Sequence, residues 1–231
     1  MSAVALVLVG DELLSGKFSD ENGPLVIRSL RERGARLVRL AVVQDRVEEI
    51  AAEVRLALGV ADWVLTSGGI GPTHDDLTYE GVAAGLGVPL EQRPELVAIL
   101  DRYEIAKTTA TLRMARIPAG SELLASPGSP LPVVRAGRVI VLPGVPKLFR
   151  EALGAALALV RGEPLFTARV TTALREVDFA DRLSALVAAH PLVQVGSYPR
   201  PDGVTIVTLE SCDEAALSGM SAEVSALLQG R

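Results

Sequence analysis

The chain has 231 residues, 49 % hydrophobic and 22 % charged, which predicts one large globular domain or one domain with a small appendage. The formal net charge of −5 argues against general binding of nucleic acids, because nucleic-acid-binding proteins use basic surfaces to displace counterions from phosphates. A single cysteine, Cys212, excludes an internal disulfide, and with two histidines it excludes a zinc site rich in Cys and His. Any metal would therefore be held by oxygen atoms.

Neither a secretory signal nor a membrane span is predicted. The chain does not open with the charged, apolar and small-residue pattern of a signal, and no apolar run reaches the roughly 18 residues that span a bilayer. The single cysteine also fits a reducing compartment. We therefore expect a soluble, cytoplasmic protein that binds neither membranes nor nucleic acids.

The first third of the chain repeats a strand, a polar turn and a helix. The predicted strands are residues 3–9, which form an unbroken apolar run, residues 36–43, and the apolar residues 63–65. The predicted helices are residues 25–33, which Gly34 ends, residues 47–58, and residues 79–84. Three such units, with polar residues at every strand end, predict a right-handed, doubly wound parallel sheet.

The middle of the chain is less regular. Pro94 can begin a helix that runs to about Ile105, and its inner side is predicted to carry Leu96, Ile99, Leu100 and Tyr103. Residues 107–135 are interpreted as an ordered loop with short strands that covers the site. A buried strand at residues 138–142 and a helix at residues 147–160 follow, with Pro146 at the first helical position.

A second region is predicted to begin at residue 163, so that the domains are residues 1–162 and 163–231. Its predicted order is strand 167–172, helix 178–189, strand 193–197, strand 204–209 and a helix from Asp213. Leu183, Leu186 and Val187 are expected to form the inner stripe of its first helix. We interpret this small β-α-β-β-α subdomain as serving structure or oligomerisation, and we expect a homo-oligomer, a dimer or a trimer.

The turn between the third strand and its helix is the strongest functional candidate. Its sequence is Thr66-Ser67-Gly68-Gly69-Ile70-Gly71-Pro72-Thr73-His74-Asp75-Asp76-Leu77-Thr78. Turns at the carboxyl ends of parallel strands bind ligands, and glycines let the backbone N–H groups approach an anion closely. The alternative is a plain tight turn in which Asp75 is a helix N-cap. Two adjacent carboxylates repel each other, however, which favours a functional interpretation.

Three further polar residues follow predicted strands, and each has a structural alternative. Asp20 and Asn22 precede the first helix and could serve only as caps. Asp45 ends the second strand and could be the N-cap of the next helix, or a second carboxylate that faces the glycine turn across a crevice.

The motifs together resemble a known family. They are Gly10-Asp11-Glu12-Leu13-Leu14-x-Gly16, Asp20-x-Asn22, the glycine turn from Gly68 to Thr78, and Leu142-Pro143-Gly144-Val145-Pro146. They look like the molybdopterin-binding domain of MoaB/Mog proteins and of the amino-terminal half of the CinA family. Including Val195-Gly196-Ser197-Tyr198-Pro199, the chain looks most like the stand-alone form of the domain fused ahead of eukaryotic FAD synthase.

The resemblance implies a fold and two functions. The fold is an α/β three-layer sandwich with a mainly parallel sheet, followed by a small α+β subdomain. In Mog-type adenylyl transferases two aspartates matter, and Asp45 and Asp76 match them. In CinA-type domains the crevice serves metal-dependent hydrolysis of ADP-ribose, and the relatives fused to FAD synthase are associated with FAD hydrolysis.

The expected function is therefore that of a metal-dependent nucleotide pyrophosphatase acting on ADP-ribose or FAD. The alternative is a molybdopterin-binding or adenylyl-transfer protein of molybdenum cofactor biosynthesis. Asp45 and Asp76 are the predicted catalytic residues, and Asp45, Asp75 and Asp76 are the predicted ligands of Mg²⁺, Mn²⁺ or Co²⁺. The predicted substrate- and phosphate-binding residues are Gly10, Asp11, Glu12, Asn22, Ser67, Gly68, Gly69, Gly71, Thr73, Pro143 and Gly144. The expected partner is a small nucleotide or pterin.

Overall fold

The structure, a computed structural model, describes residues 1–127, 129 and 131–229. It divides the chain into two compact units, residues 1–162 and residues 163–231. The first unit has a six-stranded and a two-stranded sheet and two hydrophobic cores, and the second unit has a three-stranded sheet and one core.

The first unit is built on a mainly parallel sheet. The strands of its described part are β1 (Ala3–Val9), β2 (Arg36–Val43), β3 (Trp63–Ser67), β4 (Leu90–Gln92), β5 (Arg116–Pro118), β6 (Glu122–Leu124), β7 (Val133–Ala136) and β8 (Val139–Leu142). The six-stranded sheet has the order β2-β1-β3-β8-β7-β6. The first four of these strands are parallel, whereas β7 and β6 are antiparallel to their neighbours. β4 and β5 form a separate antiparallel pair.

Helices cover both faces of this sheet. Those of the described part are α1 (Asp11–Leu14), α2 (Asn22–Arg33), α3 (Val47–Val60), α4 (Thr78–Leu86), α5 (Pro94–Arg102), α6 (Thr109–Arg113) and α7 (Pro146–Leu157). The even-numbered residues from Val4 to Leu8 pack in one core with α2 and α7. The odd-numbered residues from Ala5 to Val9 pack in a second core with α3 and α4. Because side chains of a strand alternate between faces, β1 must be apolar throughout, and the result is three layers.

The second unit is a small antiparallel sheet packed against two helices. Its strands are β9 (Phe166–Thr172), β10 (Gln194–Pro199) and β11 (Thr205–Ser211), in the order β10-β11-β9, and its helices are α8 (Ala180–Ala189) and α9 (Glu214–Leu228). A short 3₁₀ turn, Glu176–Asp178, precedes α8. Val207 and Leu209 of β11 are fully buried against Met220 and Val224 of α9, so this unit has a core of its own.

The predicted fold class is confirmed, and the differences lie at helix ends. α2 begins at Asn22 rather than Leu25, because Pro24 then falls in the first turn, where the missing N–H needs no acceptor. α5 ends at Arg102, so Tyr103 leaves the helical phase and is 46 % exposed instead of facing inward. Val187, predicted to be on an inner stripe, is 38 % exposed.

The segment predicted to cover the site, residues 107–135, contains α6 and the strands β5, β6 and β7. Residues 128 and 130 of this segment lie outside the described residues. Among the helices of the described residues, none combines the length and the apolar character needed to cross a membrane.

The hydroxyl of Thr66 is buried and unpaired in the described part of the chain. Thr66 on β3 is 0 % exposed, and its Oγ1 has no hydrogen-bond partner. A buried hydroxyl without a partner costs about 1–3 kcal/mol of desolvation. We therefore expect Thr66→Val, which keeps the shape, to raise the free energy of unfolding by about 1 kcal/mol in urea denaturation.

The neighbouring hydroxyl provides a matched control for this prediction. Ser67 Oγ accepts a hydrogen bond from Asn22 Nδ2 at 3.0 Å and donates to the carbonyl oxygen of Pro143 at 3.3 Å. Ser67→Ala should therefore lower the free energy of unfolding by about 1 kcal/mol. Equal destabilisation by both substitutions would show that the Thr66 hydroxyl has a partner in solution.

Candidate functional site

The carboxyl ends of β1, β3 and β8 meet at one edge of the sheet, because these strands are adjacent and parallel. A cavity of about 590 Å³ lies at this edge, bounded also by the amino-terminal ends of α2 and α7. Its lining consists of Leu8, Val9, Glu12, Leu13, Phe18, Ser19, Asp20, Glu21, Asn22, Ser67, Gly68, Gly69, Ile70, Gly71, Asp76, Met114, Leu131, Pro143, Gly144, Val145, Pro146 and Leu148. Crevices at this position of an α/β sheet are where ligands bind.

The structure brings many, but not all, of the predicted site residues to this cavity. Those that line it are Glu12, Asn22, Ser67, Gly68, Gly69, Gly71, Asp76, Pro143 and Gly144. Those that do not belong to its described lining are Gly10, Asp11, Asp45, Thr73 and Asp75. Met114 and Leu131, from the segment predicted to cover the site, also line it. The functional roles of all these residues stay predictions.

The glycine turn begins with two glycines in backbone conformations that other residues rarely adopt. The φ angles are +105° at Gly68 and +64° at Gly69. Thr78, the first residue of α4, holds both: its Oγ1 donates to the carbonyl oxygen of Gly68 at 2.7 Å, and its N–H donates to that of Gly69 at 2.9 Å. Thr78 is 0 % exposed, so the turn is fixed from inside the protein.

The N–H groups of this turn differ in whether they are free. The N–H of Gly68 donates to the carbonyl oxygen of Leu142 at 3.2 Å, and that of Thr73 donates to Asp76 Oδ2 at 2.8 Å. No described residue accepts from the N–H groups of Gly69, Ile70 or Gly71. Successive N–H groups in a turn are able to form a concave anion site. The N–H groups of Gly69 and Gly71 are therefore available to bind a phosphate, as predicted. Those of Gly68 and Thr73 already donate to acceptors within the protein.

Asp76 closes the turn and faces the cavity with one oxygen to spare. Its Oδ2 accepts both the N–H and the hydroxyl of Thr73, while Oδ1 has no partner in the described part of the chain. The N-cap of α4 is Leu77, so neither Asp75 nor Asp76 caps that helix. The Asp76 carboxylate is therefore positioned by Thr73 and retains an oxygen for a ligand.

Arg113 on α6 stabilises the same turn from outside. Its Nη1 donates to the carbonyl oxygen of Thr73 at 3.2 Å, and its Nη2 donates to that of Asp76 at 3.0 Å. Nη2 also lies 3.3 Å from Glu80 Oε1. Sequence reasoning missed Arg113, because an arginine in a loop predicted to cover the site is too general a signal to single it out.

A buried hydrogen-bond network forms the floor of the cavity. Asn22 is 6 % exposed, and its Nδ2 donates to Ser67 Oγ at 3.0 Å and to the carbonyl oxygen of Gly144 at 2.9 Å. Asn22 thereby joins the start of α2 to the ends of β3 and β8. The N-cap of α2 is Glu21, so Asn22 is not the cap that was its alternative interpretation.

Asp20 accepts hydrogen bonds at the start of α2, as expected if it serves as a helix cap. Its Oδ1 accepts from the N–H groups of Asn22 at 2.8 Å and Gly23 at 3.0 Å.

Pro146 occupies the first turn of α7, where its missing N–H is not needed. The amino-terminal ends of α2 and α7 both lie at the cavity, and each adds partial positive charge there.

Asp45 lies at the end of β2, beside the short helix α1. It is not the N-cap of α3, which is Arg46; instead its Oδ2 accepts from the N–H of Asp11 at 2.8 Å. Burial raises the pKa of Asp45, the Asp11 N–H opposes this, and the negative charges of Glu12, Asp11 and Asp75 raise it further. Asp45 therefore belongs to an acidic group with Asp11, Glu12 and Asp75, of which Glu12 lines the cavity.

This raised pKa predicts how stability depends on pH. The folded state holds the Asp45 proton more tightly than the unfolded chain, whose carboxyl titrates near 3.8. The resulting stabilisation is complete below pH 3.8 and is lost as the pH rises through the raised pKa. We expect the free energy of unfolding of Asp45→Asn, minus that of the wild type, to increase with pH across this window. Urea denaturation between pH 3.5 and pH 7 measures it, and parallel curves would contradict it.

The charged side chains in the described lining of the cavity are all acidic: Glu12, Asp20, Glu21 and Asp76. A phosphate-bearing ligand would meet repulsion there unless a cation accompanied it. The described residues contain no group of three or more His, Cys, Asp or Glu that could hold a metal alone. Mg²⁺, however, is commonly held by one or two carboxylates together with substrate phosphates. The donor set thus fits a cation that arrives with, or is completed by, a phosphate ligand.

Comparison with protein families decides the classification of the first unit. Residues 5–161 match the family described as "Probable molybdopterin binding domain". The chain belongs to this family. In this molybdopterin-binding-type protein, residues 164–231 match a second family, described as "FAD synthase, middle domain". The family resemblance expected from the motifs is thereby confirmed for both parts of the chain.

The individual relatives carry two kinds of name, FAD synthase and CinA-like protein. A protein of Caenorhabditis briggsae named "Probable FAD synthase" is 31 % identical over 98 % of this chain and 49 % of its own length. A "CinA-like protein" of Anaeromyxobacter sp. strain K is 39 % identical over 64 % of this chain and 38 % of its own. The chain thus spans about half, or less, of the length of these curated relatives.

A solved structure supports the fold independently. The protein CinA of Thermoplasma acidophilum, described as having unknown function, is 35 % identical, with a TM-score of 0.61. The match covers 68 % of this chain and 96 % of that chain. The first unit is therefore a CinA-like molybdopterin-binding domain.

Proposed function

We propose that this protein hydrolyses the pyrophosphate bond of a dinucleotide such as ADP-ribose or FAD. The observation that carries the proposal is the cavity, in which three free N–H groups of the glycine turn lie beside a carboxylate with a spare oxygen. The N–H groups of Gly69, Ile70 and Gly71 suit a phosphate. A volume of about 590 Å³ lies within the range of small-molecule sites.

The names of relatives favour a dinucleotide. A curated relative is named a probable FAD synthase, and the second unit matches the middle domain of FAD synthase. FAD contains a pyrophosphate bridge, which is the part of a ligand that the glycine turn and the two helix ends suit best.

In the proposed reaction a water oxygen attacks one phosphorus of the pyrophosphate, and the bridging P–O bond breaks. The products are AMP with ribose 5-phosphate from ADP-ribose, or AMP with FMN from FAD. The free N–H groups bind the phosphate under attack. Glu12 and the spare Asp76 Oδ1 would hold a divalent cation, which neutralises phosphate charge and favours ionisation of the attacking water.

Asp45 and Asp75, the other two predicted metal ligands, do not belong to the described lining of the cavity, and we propose an indirect role for them. Both belong to the acidic group that includes Glu12, and the charge of Asp75 contributes to the raised pKa of Asp45. They would increase the local concentration of a divalent cation beside the cavity.

A direct assay tests the proposal. Purified protein is incubated with ADP-ribose or FAD and with Mg²⁺, Mn²⁺ or Co²⁺, and AMP is measured by chromatography. We expect AMP formation that EDTA abolishes. If folded protein, verified by circular dichroism, releases no AMP from either substrate with any of the three metals, the proposal is wrong.

The family description favours a second candidate, binding of molybdopterin or adenylyl transfer to it. The same glycine turn would bind the pterin phosphate. Tight molybdopterin binding by protein that does not hydrolyse dinucleotides would replace the first proposal with this one.

A further inference from the structure

A smaller apolar pocket of about 90 Å³ adjoins the cavity. The two have five lining residues in common: Ile70, Met114, Leu131, Pro143 and Leu148. Ile70 lies in the glycine turn between two of the free N–H groups. A ligand whose phosphates lie at that turn can therefore extend directly into the pocket.

Tyr79 on α4 lines this pocket, and its hydroxyl is the polar group available there to a ligand. The residue is 8 % exposed, and its hydroxyl makes no hydrogen bond to the described residues but is not among their fully buried unpaired atoms, so it keeps accessible surface for a ligand. Burial raises the pKa of Tyr79, so the phenol is neutral and can donate. Buried tyrosine hydroxyls normally find a partner, and a hydroxyl that lacks one beside a ligand cavity is suited to bind a ligand.

We propose that this pocket receives the purine base of the nucleotide, with the Tyr79 hydroxyl donating a hydrogen bond to a ring nitrogen. The inference rests on the proposed function, because it requires a nucleotide in the adjoining cavity. It adds a residue and a base preference that hydrolysis alone does not require.

Size and polarity favour a purine over the other candidate rings. A cavity of about 150 Å³ encloses benzene, so a pocket of about 90 Å³ that opens into a larger cavity admits only the leading part of a six-membered ring. The tricyclic flavin ring is too large to enter completely. A pterin presents many donors and acceptors, which the aliphatic walls would leave unpaired. The six-membered ring of adenine presents fewer, and a phenol can bond to one of its nitrogens.

Binding measurements that do not depend on hydrolysis test this assignment. Tyr79→Phe removes only the hydroxyl, and we expect adenosine and ADP-ribose to bind about 3- to 10-fold more weakly, as for the loss of one hydrogen bond. Ribose 5-phosphate should bind as before. In saturation-transfer NMR with adenosine, the H2 proton should receive more saturation than H8, because the six-membered ring enters the pocket.

Two further variants complete the experiment. Ile99→Phe places a larger side chain in the pocket from α5, away from the glycine turn. The smaller remaining space should also weaken adenosine binding. Tyr103→Phe removes a hydroxyl from a residue that is 46 % exposed and should change nothing. Adenosine affinity unchanged in Tyr79→Phe, or a loss confined to pterin binding, would overturn the assignment.

The outcome is separable from that of the hydrolysis proposal. If the wild type binds adenosine through Tyr79 but releases no AMP from dinucleotides, the base pocket is supported and the proposed hydrolysis is wrong. If AMP is released but ADP-ribose binds no more tightly than ribose 5-phosphate, hydrolysis is supported and the base pocket is wrong.

Discussion

Asp76→Asn is expected to lower kcat for dinucleotide hydrolysis by about 100-fold or more, the usual loss when a positioned electrostatic contact in the transition state is removed. Asparagine keeps the volume of the side chain, and its Oδ1 can still accept from Thr73, as Asp76 Oδ2 does now. The free energy of unfolding should therefore change by less than about 1 kcal/mol. The measurement is kcat and KM for AMP release, with urea denaturation of the same preparation.

The same substitution at Asp45 tests whether the two predicted catalytic carboxylates act together. Asp45 already accepts the Asp11 N–H and does not belong to the described lining of the cavity, so we expect a smaller fall in kcat than for Asp76→Asn. Equal losses would show that Asp45 reaches the phosphates. Full turnover by Asp76→Asn would remove the role proposed for Asp76.

The strands that form the cavity could be predicted because their sequences permit few alternatives. The run from Ala3 to Val9 is apolar on both faces, and only a strand covered by helices on both sides buries such a run. The glycines of the turn carry a similarly strong signal, because a positive φ at Gly68 and Gly69 is costly for other residues. The position of the candidate site followed from these two features.

The partners of individual polar groups could not be predicted, because they depend on residues distant in the chain. The N–H of Gly68 is engaged by Leu142, and Asn22 bridges to Ser67 and Gly144. Asp45 is not the helix cap that was one of its two predicted roles, and its hydrogen bond with the N–H of Asp11 could not be predicted. Sequence spacing gives the edge of the sheet where a residue lies, but not the atom that it contacts.

Gly68→Ala is expected to be the most destabilising of these substitutions, lowering the free energy of unfolding by about 3 kcal/mol or more. Two costs combine. The φ angle of +105° is unfavourable for alanine, and its Cβ would lie well inside 3.0 Å of the carbonyl oxygen of Val9, a backbone atom that cannot rotate away. Because the turn is also held by Thr78, it cannot move as a unit to relieve the overlap.

Gly120→Ala separates these two costs. Gly120 also has a positive φ, +74°, but a Cβ there would meet nothing within 4 Å. This variant should lose only the conformational part, about 1 kcal/mol. Urea denaturation of both variants gives the difference, which measures how rigidly the glycine turn is pressed against the end of β1. If the two variants were equally stable, the turn would be able to withdraw from Val9. The free N–H groups of Gly69, Ile70 and Gly71 would then lack the fixed geometry on which their proposed role in phosphate binding depends.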